Sequence, residues 1–233
     1  MSDFYDKVGF EDSNMTIRAV IFDFGGVLYN QPDMKWMSRW QKLLGLENDT
    51  LYNSLTSSPQ DSELVTDLMT GKLPEEEFWN KVANQWRMNP GLLNRVRKAT
   101  TSHKRLNKEM ADFLEELNLD FTTAILSNAG SDARRNFIEH FGLDKIVDRV
   151  IISAEEGVMK PDIQIYKIAT DRLQVGPEQA IFLDDLPENV KSAKEYGFVS
   201  VQYHNNQQAI EDIKRIIRKE NDIEIKYEHH SVK

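Results

Sequence analysis

The chain contains no cysteine. That absence removes a disulfide framework, a thiolate metal site and a cysteine nucleophile together. It also has no apolar run long enough to span a bilayer and no visible secretory leader, so the expectation is a cytoplasmic protein with no membrane partner. Positive charge is in short supply: 29 Lys and Arg against 38 Asp and Glu leave a net charge of −9. Such a chain lacks the basic face on which contacts to a phosphate backbone depend, which argues against nucleic-acid binding. One cluster runs the other way (Arg95, Arg97, Lys98, Lys104, Arg105, Lys108) and reads as a solvated helix face in preference to a funnel for anions.

What the chain does have is length for one sizeable core and a small accessory domain. Residues 1–14 are polar and read as an N-terminal extension. A strand-like run follows, and the pattern then changes to helical spacing, with Met34, Met37, Trp40, Leu43 and Leu44 on one face up to Gly45. Pro74-Glu75-Glu76-Glu77 opens a further helix carrying Phe78, Val82 and Trp86. Residues 32–97 are therefore expected to form an all-helical insertion. Its four tryptophans (Trp36, Trp40, Trp79, Trp86) read mainly as the core of a small domain, with Trp36 the candidate for a pocket wall. Strand and helix alternate again from 98 to 219, ending in an amphipathic helix marked by Ile210, Ile213, Ile216 and Ile217. Residues 220–233 read as a polar tail whose paired His229 and His230 belong to the tail's composition. The expected fold class is α/β, a doubly wound parallel sheet in two segments (15–31 and 98–219) with the helical cap inserted after the first strand.

Four polar segments each end an apolar run. Asp23 closes Ile17–Phe22 and leads into Phe24-Gly25-Gly26-Val27. Ser127-Asn128 close Ala124–Leu126, Lys160-Pro161 follow Val150–Ser153, and Asp184-Asp185 close Ala180–Leu183. In an open parallel sheet, ligands bind beyond the carboxyl ends of the strands, so residues distant in sequence converge there. Each segment also has an ordinary reading. Asp-x-Gly ends many strands, Ser127-Asn128 fit a helix cap, Lys160-Pro161 a surface loop, Asp184-Asp185 an exposed turn, and Asn189 a solvent-facing helix position. It is their joint occurrence, in this order, that points to a phosphoryl-transfer site.

In that order the segments resemble the motifs of the haloacid dehalogenase-like hydrolase superfamily, over roughly Thr16 to Gly197. The loop Asp184-Asp185-Leu186-Pro187-Glu188-Asn189 is the most specific of them. The form Asp-x-Gly-Gly-Val is similar to the phosphatase branch that includes the epoxide hydrolase N-terminal domain and bacterial glucose-1-phosphatases. The resemblance implies Asp23 as nucleophile, with Mg²⁺ held by Asp23, the Gly25 carbonyl and the Asp184/Asp185 pair, Asp185 more directly. It implies Lys160 and Ser127 as catalytic groups on the phosphoryl oxygens, joined by the backbone N–H groups of Phe24 and Asn128. A small phosphorylated metabolite is the implied partner, and a monomer and a homodimer are both open.

One position departs from the family pattern. Most phosphatases of the superfamily carry a second Asp two residues after the nucleophile, and this chain has Gly25 there. A backbone carbonyl ligand survives that change and a general acid does not, at a cost of about 10²–10⁴-fold in rate. The implied activity is then hydrolysis of monoesters with good leaving groups, such as sugar 1-phosphates. The alternatives are a weakly catalytic phosphate-binding or scaffold protein and, further off, a metal-independent 2-haloacid dehalogenase.

Overall fold

A computed structural model of the chain describes residues 16–30, 62–85, 88–102 and 105–221. Five strands form one parallel sheet: β1 (Ala19–Phe22), β4 (Thr122–Ser127), β5 (Arg149–Ile152), β6 (Ala180–Asp184) and β7 (Val199–Gln202), in the order β5-β4-β1-β6-β7. The central β1 pairs Phe22 with Ile125 on one side and with Leu183 on the other. All four of its residues are buried, as an unbroken apolar run in a sheet covered on both faces requires.

The two faces of the sheet are sorted by the period of two. Val20 and Phe22 pack with Ile125, Ile181 and Leu183 against α4 (Lys108–Leu117), α5 (Ala133–Glu139) and α9 (Asn206–Asn221). Ile21 packs with Leu126 and Phe182 against α7 (Ile163–Leu173) and α8 (Pro187–Tyr196). The expected isoleucine stripe sits on α9: Ile213 and Ile217 are buried, each contributing roughly 1.5–3 kcal/mol, while Ile210 and Ile216 lie at its edge. α9 runs to Asn221 and so takes in the first two residues of the expected polar tail. Asn221 exchanges two hydrogen bonds with the Ile17 backbone, at 2.8 and 3.1 Å, and so ties the last turn to the start of the first strand.

The described part of the insertion is helical: α1 (Glu63–Met69), α2 (Glu75–Gln85) and α3 (Pro90–Ser102), the last running beyond residue 97. The expected start of α2 after Pro74 holds, with three glutamates in its first turn. Val65, Leu73, Phe78, Trp79, Val82, Met88 and Val96 form a cluster of their own, separate from the two sheet clusters. Trp79 is thus a core residue, as expected for a small domain. The expected helix from Met34 to Leu44, and Trp36, Trp40 and Trp86, lie outside the described residues.

Where the chain leaves the core and where it returns, β2 (Tyr29–Asn30) and β3 (Arg105–Leu106) pair antiparallel. Two residues per strand carry no readable alternation, so this ladder was not visible in the sequence. Among the described residues no helix is long and apolar enough to cross a membrane.

Candidate active site

Asp23, Ser127 and Asp184 all stand at the carboxyl ends of the three adjacent central strands, β1, β4 and β6. Lys160 arrives from the loop after the short helix α6 (Ser153–Glu156). Directly after Asp23 the chain turns sharply: Tyr29 N–H donates to Phe24 O at 2.8 Å and Gly26 N–H to Tyr29 O at 2.9 Å. Gly26 has φ +81°, and a Cβ there would lie 2.2 Å from Asp185 Oδ2. Only glycine allows both the turn and the approach of that carboxylate. Gly25 is different: it is exposed, and a Cβ would meet nothing nearer than Asp23 Oδ2 at 3.9 Å. The Phe24 ring turns away into an aromatic group, 4.1 Å from Phe137 between centroids, so only its backbone is available to the site.

Lys160 is buried to 2% exposure. Its ammonium donates to Asp23 Oδ1 at 2.6 Å, to Asp184 Oδ2 at 2.7 Å and to Leu126 O at 2.9 Å. All three of its protons are therefore used. Asn128 holds the lysine's backbone from both sides, Nδ2 donating to Lys160 O and Oδ1 accepting from Lys160 N–H, each at 2.8 Å. Asp184 is fully buried and receives Asn189 Nδ2 at 3.0 and 3.1 Å and Leu186 N–H at 2.9 Å. Asp185 is half-buried. Buried Ser127 ends β4, directly after Leu126, whose carbonyl accepts from the lysine.

The electrostatics follow from crowding. Burial, opposed by Lys160 and reinforced by Asp184 and Asp185, pushes the Asp23 carboxyl from 3.8 to about 7. Burial and the neighbouring Asp184 push Asp185 up to about 6. For Lys160, burial works to lower the pKa, but the two carboxylates outweigh it and the net direction is up, so the side chain stays charged. Oxygens of Asp23, Asp184 and Asp185 lie within 4.8 Å of one another. Three carboxylates thus crowd round one ammonium, which bonds only Asp23 and Asp184. A buried surplus of negative charge with hard oxygen donors fits a divalent cation, and this group could hold one.

The fold therefore brings Asp23, Ser127, Lys160, Asp184 and Asp185 together, with the backbone of Phe24, Gly25 and Asn128 beside them. Two contributors had no site role assigned from the sequence, although Asn189 closes its most specific motif and Tyr166 was compatible with the dehalogenase alternative. Asn189 is 3% exposed, not solvent-facing, because the first turn of α8 points it back at Asp184. Its spacing of five residues after Asp184, across a Pro that starts a helix, was the available signal. Tyr166, buried under the site, donates its hydroxyl to Asn189 O at 3.0 Å. It stands mid-helix on the buried face with Ile165, Ala169 and Leu173, a pattern that by itself reads as core.

The family model described as haloacid dehalogenase-like hydrolase matches residues 20–203. Mouse bifunctional epoxide hydrolase 2 is 25% identical over 218 residues, covering 87% of this chain. The match takes in only 39% of that relative's length. Sesquiterpene phosphatase astK of Aspergillus oryzae is 24% identical over 204 residues, covering 87% of this chain and 97% of its own. A shorter stretch of 82 residues is 34% identical to (S)-2-haloacid dehalogenase 1 of a Pseudomonas species, covering 35% of this chain and 36% of that one. Among solved structures, a predicted HAD-like family hydrolase from Porphyromonas gingivalis superposes with a TM-score of 0.71 at 26% identity, covering 87% of this chain and 98% of its own.

Proposed function

The chain belongs to the haloacid dehalogenase-like hydrolase family, and from that premise we propose that it is a Mg²⁺-dependent phosphatase of small phosphate monoesters. The observation that carries this reading is the third carboxylate. Asp23 and Lys160 alone would serve several chemistries. Asp185, added to Asp23 and Asp184 within 4.8 Å, leaves a site that repels an anionic substrate unless a cation is present.

Asp23 is the nucleophile. Lys160 holds its Oδ1, and Oδ2 lies on the side of Gly25, where the site is open. Attack of that oxygen on phosphorus forms an O–P bond as the bond to the leaving oxygen breaks, giving an aspartyl-phosphate. Water then attacks the phosphorus, releasing inorganic phosphate and restoring the carboxylate. Lys160 keeps a fixed positive charge against the transferring group, and Ser127 and the backbone N–H groups of Phe24 and Asn128 donate to its oxygens. Asp23, the Gly25 carbonyl and Asp185 would hold Mg²⁺, with Asp184 supporting. When bound, the ion supplies the charge that keeps Asp23 ionised and neutralises the phosphoryl oxygens.

Without a side chain at Gly25, the leaving oxygen departs without an acid from that position. Substrates with stabilised leaving groups, such as sugar 1-phosphates, are favoured for that reason. The sesquiterpene phosphatase, matched over nearly its whole length, supports phosphatase chemistry in this branch. A second reading, metal-independent 2-haloacid dehalogenation, draws on the shorter dehalogenase match. It leaves the surplus charge of Asp184 and Asp185 without a role.

The deciding assay is phosphate release from p-nitrophenyl phosphate, glucose 1-phosphate and glucose 6-phosphate, with and without Mg²⁺, beside Asp23→Asn. Mg²⁺-dependent turnover that vanishes in Asp23→Asn, faster on the 1-phosphate, is the expected result. Halide release from a 2-haloacid without metal would replace this reading with the second. No turnover of either substrate class would leave a phosphate-binding protein.

A further inference from the structure

Asn107 stands where the chain re-enters the core from the cap, between β3 and α4. An asparagine immediately before a helix ordinarily caps it, its side-chain oxygen accepting from an N–H two or three residues on. Asn107 makes no such bond. Its side chain, 5% exposed, is turned instead toward the chain that follows the nucleophile. Nδ2 donates to Val27 O at 2.9 Å, and the Asn107 backbone N–H donates to Leu28 O at 2.8 Å. The returning segment therefore grips two consecutive carbonyls of the turn that begins at Asp23.

The grip is itself braced. Asn107 and Asn206 exchange amide hydrogen bonds at 2.8 and 3.1 Å, and Tyr203 OH donates to Asn206 Oδ1 at 2.6 Å. On the other side, Tyr203 N–H donates to Asp184 O at 2.9 Å. A continuous set of hydrogen bonds thus joins the Asp23 turn, the cap's return and the acidic loop. Nothing else about Asn107 calls for an amide: a helix cap would accept Ser or Asp, whereas Val27 O and Asn206 Oδ1 need a donor at this reach.

We propose that Asn107 is a positioning residue for metal binding, holding the Gly25–Gly26 bend in register with Asp185. The inference rests on the Mg²⁺ reading above. Gly25, whose carbonyl would be a ligand, lies two residues before the gripped Val27, and Gly26 leaves no slack beneath Asp185. If Val27 O is released, the bend can shift away from that carboxylate. Loss of such an outer partner typically weakens metal affinity about 10–100-fold.

The test is calorimetric titration of Mg²⁺ alone, with melting temperatures in parallel, on the unmodified chain, Asn107→Ala, Asn107→Ser and Tyr203→Phe. Serine keeps a capping side chain but is too short to reach Val27, so it serves if the alanine variant folds poorly. Tyr203→Phe removes the hydroxyl that donates to Asn206 and accepts from Asn107 Nδ2 at 3.3 Å, yet leaves Asn107 its bonds to Val27 and Leu28. The expected result is Mg²⁺ binding weakened about tenfold in the Asn107 variants and less than about twofold in Tyr203→Phe. Asn107 variants that melt earlier yet bind Mg²⁺ as the unmodified chain does would overturn the inference and reduce Asn107 to a structural residue. So would equal weakening in Tyr203→Phe. Failure of the unmodified chain to bind Mg²⁺ would instead overturn the metal reading, and this inference with it.

Discussion

Replacing Lys160 with methionine removes one ammonium and leaves its volume nearly filled, so the result reads charge and not cavity. The ammonium lies 2.6 Å from Asp23 and 2.7 Å from Asp184, with its side chain 1% exposed. At an effective dielectric of about 20, each contact is a gross attraction of roughly 6 kcal/mol, most of it offset by the desolvation of all three groups. Breaking a buried pair by removing one partner typically costs about 3–5 kcal/mol. For a chain of this size that is a fall in Tm of roughly 6–20 °C.

The pH dependence of that loss gives it a signature. Asp23 has a folded pKa of about 7 against 3.8 unfolded. The folded state therefore binds more protons between those values, and the metal-free protein gains stability as pH falls through 7 toward 4. In Lys160→Met the carboxyl rises further, so at pH 5.5 it is protonated and needs no counter-charge. The expected loss is then about half of that at pH 8, with Asp184 still held by Asn189 and Leu186. Urea denaturation in EDTA at the two pH values measures it. A loss under about 1 kcal/mol at pH 8, or a larger loss at pH 5.5 than at pH 8, would refute the account of Lys160 as the counter-charge of two buried carboxylates.

Other perturbations test neighbouring parts of the site. Mg²⁺ should raise the melting temperature more at pH 8 than at pH 5.5, because protons compete for Asp23, near 7, and Asp185, near 6; equal shifts at both would place the ion elsewhere. Gly25→Asp meets only open space beside Asp23 Oδ2 and should fold normally. It should speed hydrolysis of glucose 6-phosphate by up to about 10²-fold while changing p-nitrophenyl phosphate little, as steady-state kinetics on the two substrates would record. Gly26→Ala must displace Asp185 and strain a φ of +81°, so thermal melting should show a loss of about 1–3 kcal/mol together with weakened Mg²⁺ binding. Asn189→Leu strips Asp184 of two hydrogen bonds and should cost about 1–3 kcal/mol in urea denaturation, a surface substitution almost nothing.

The sequence by itself determined the fold class and singled out the candidate site residues, because both rest on local signals. Four apolar runs ending in Asp23, Ser127, the segment before Lys160, and Asp184-Asp185 are legible as strands with polar ends. Parallel pairing then obliges those ends to meet. In the described part of the insertion, the helix α2 was legible from the spacing of Phe78 and Val82 and its start from Pro74 with its glutamates. Tertiary structure alone decided which partner each polar group has. Lys160 is at once buried and doubly paired, Asn189 faces inward, Asn128 clips the lysine's backbone, and Asn107 leaves its helix uncapped to hold Val27, across 80 residues of chain. The physical reason is that hydrophobic periodicity is written within one element. A hydrogen bond between elements depends on the distance and direction of two side chains, and packing alone sets those. The raised Asp23 pKa has the same origin, since burial and crowding belong to the assembled site and to no single segment.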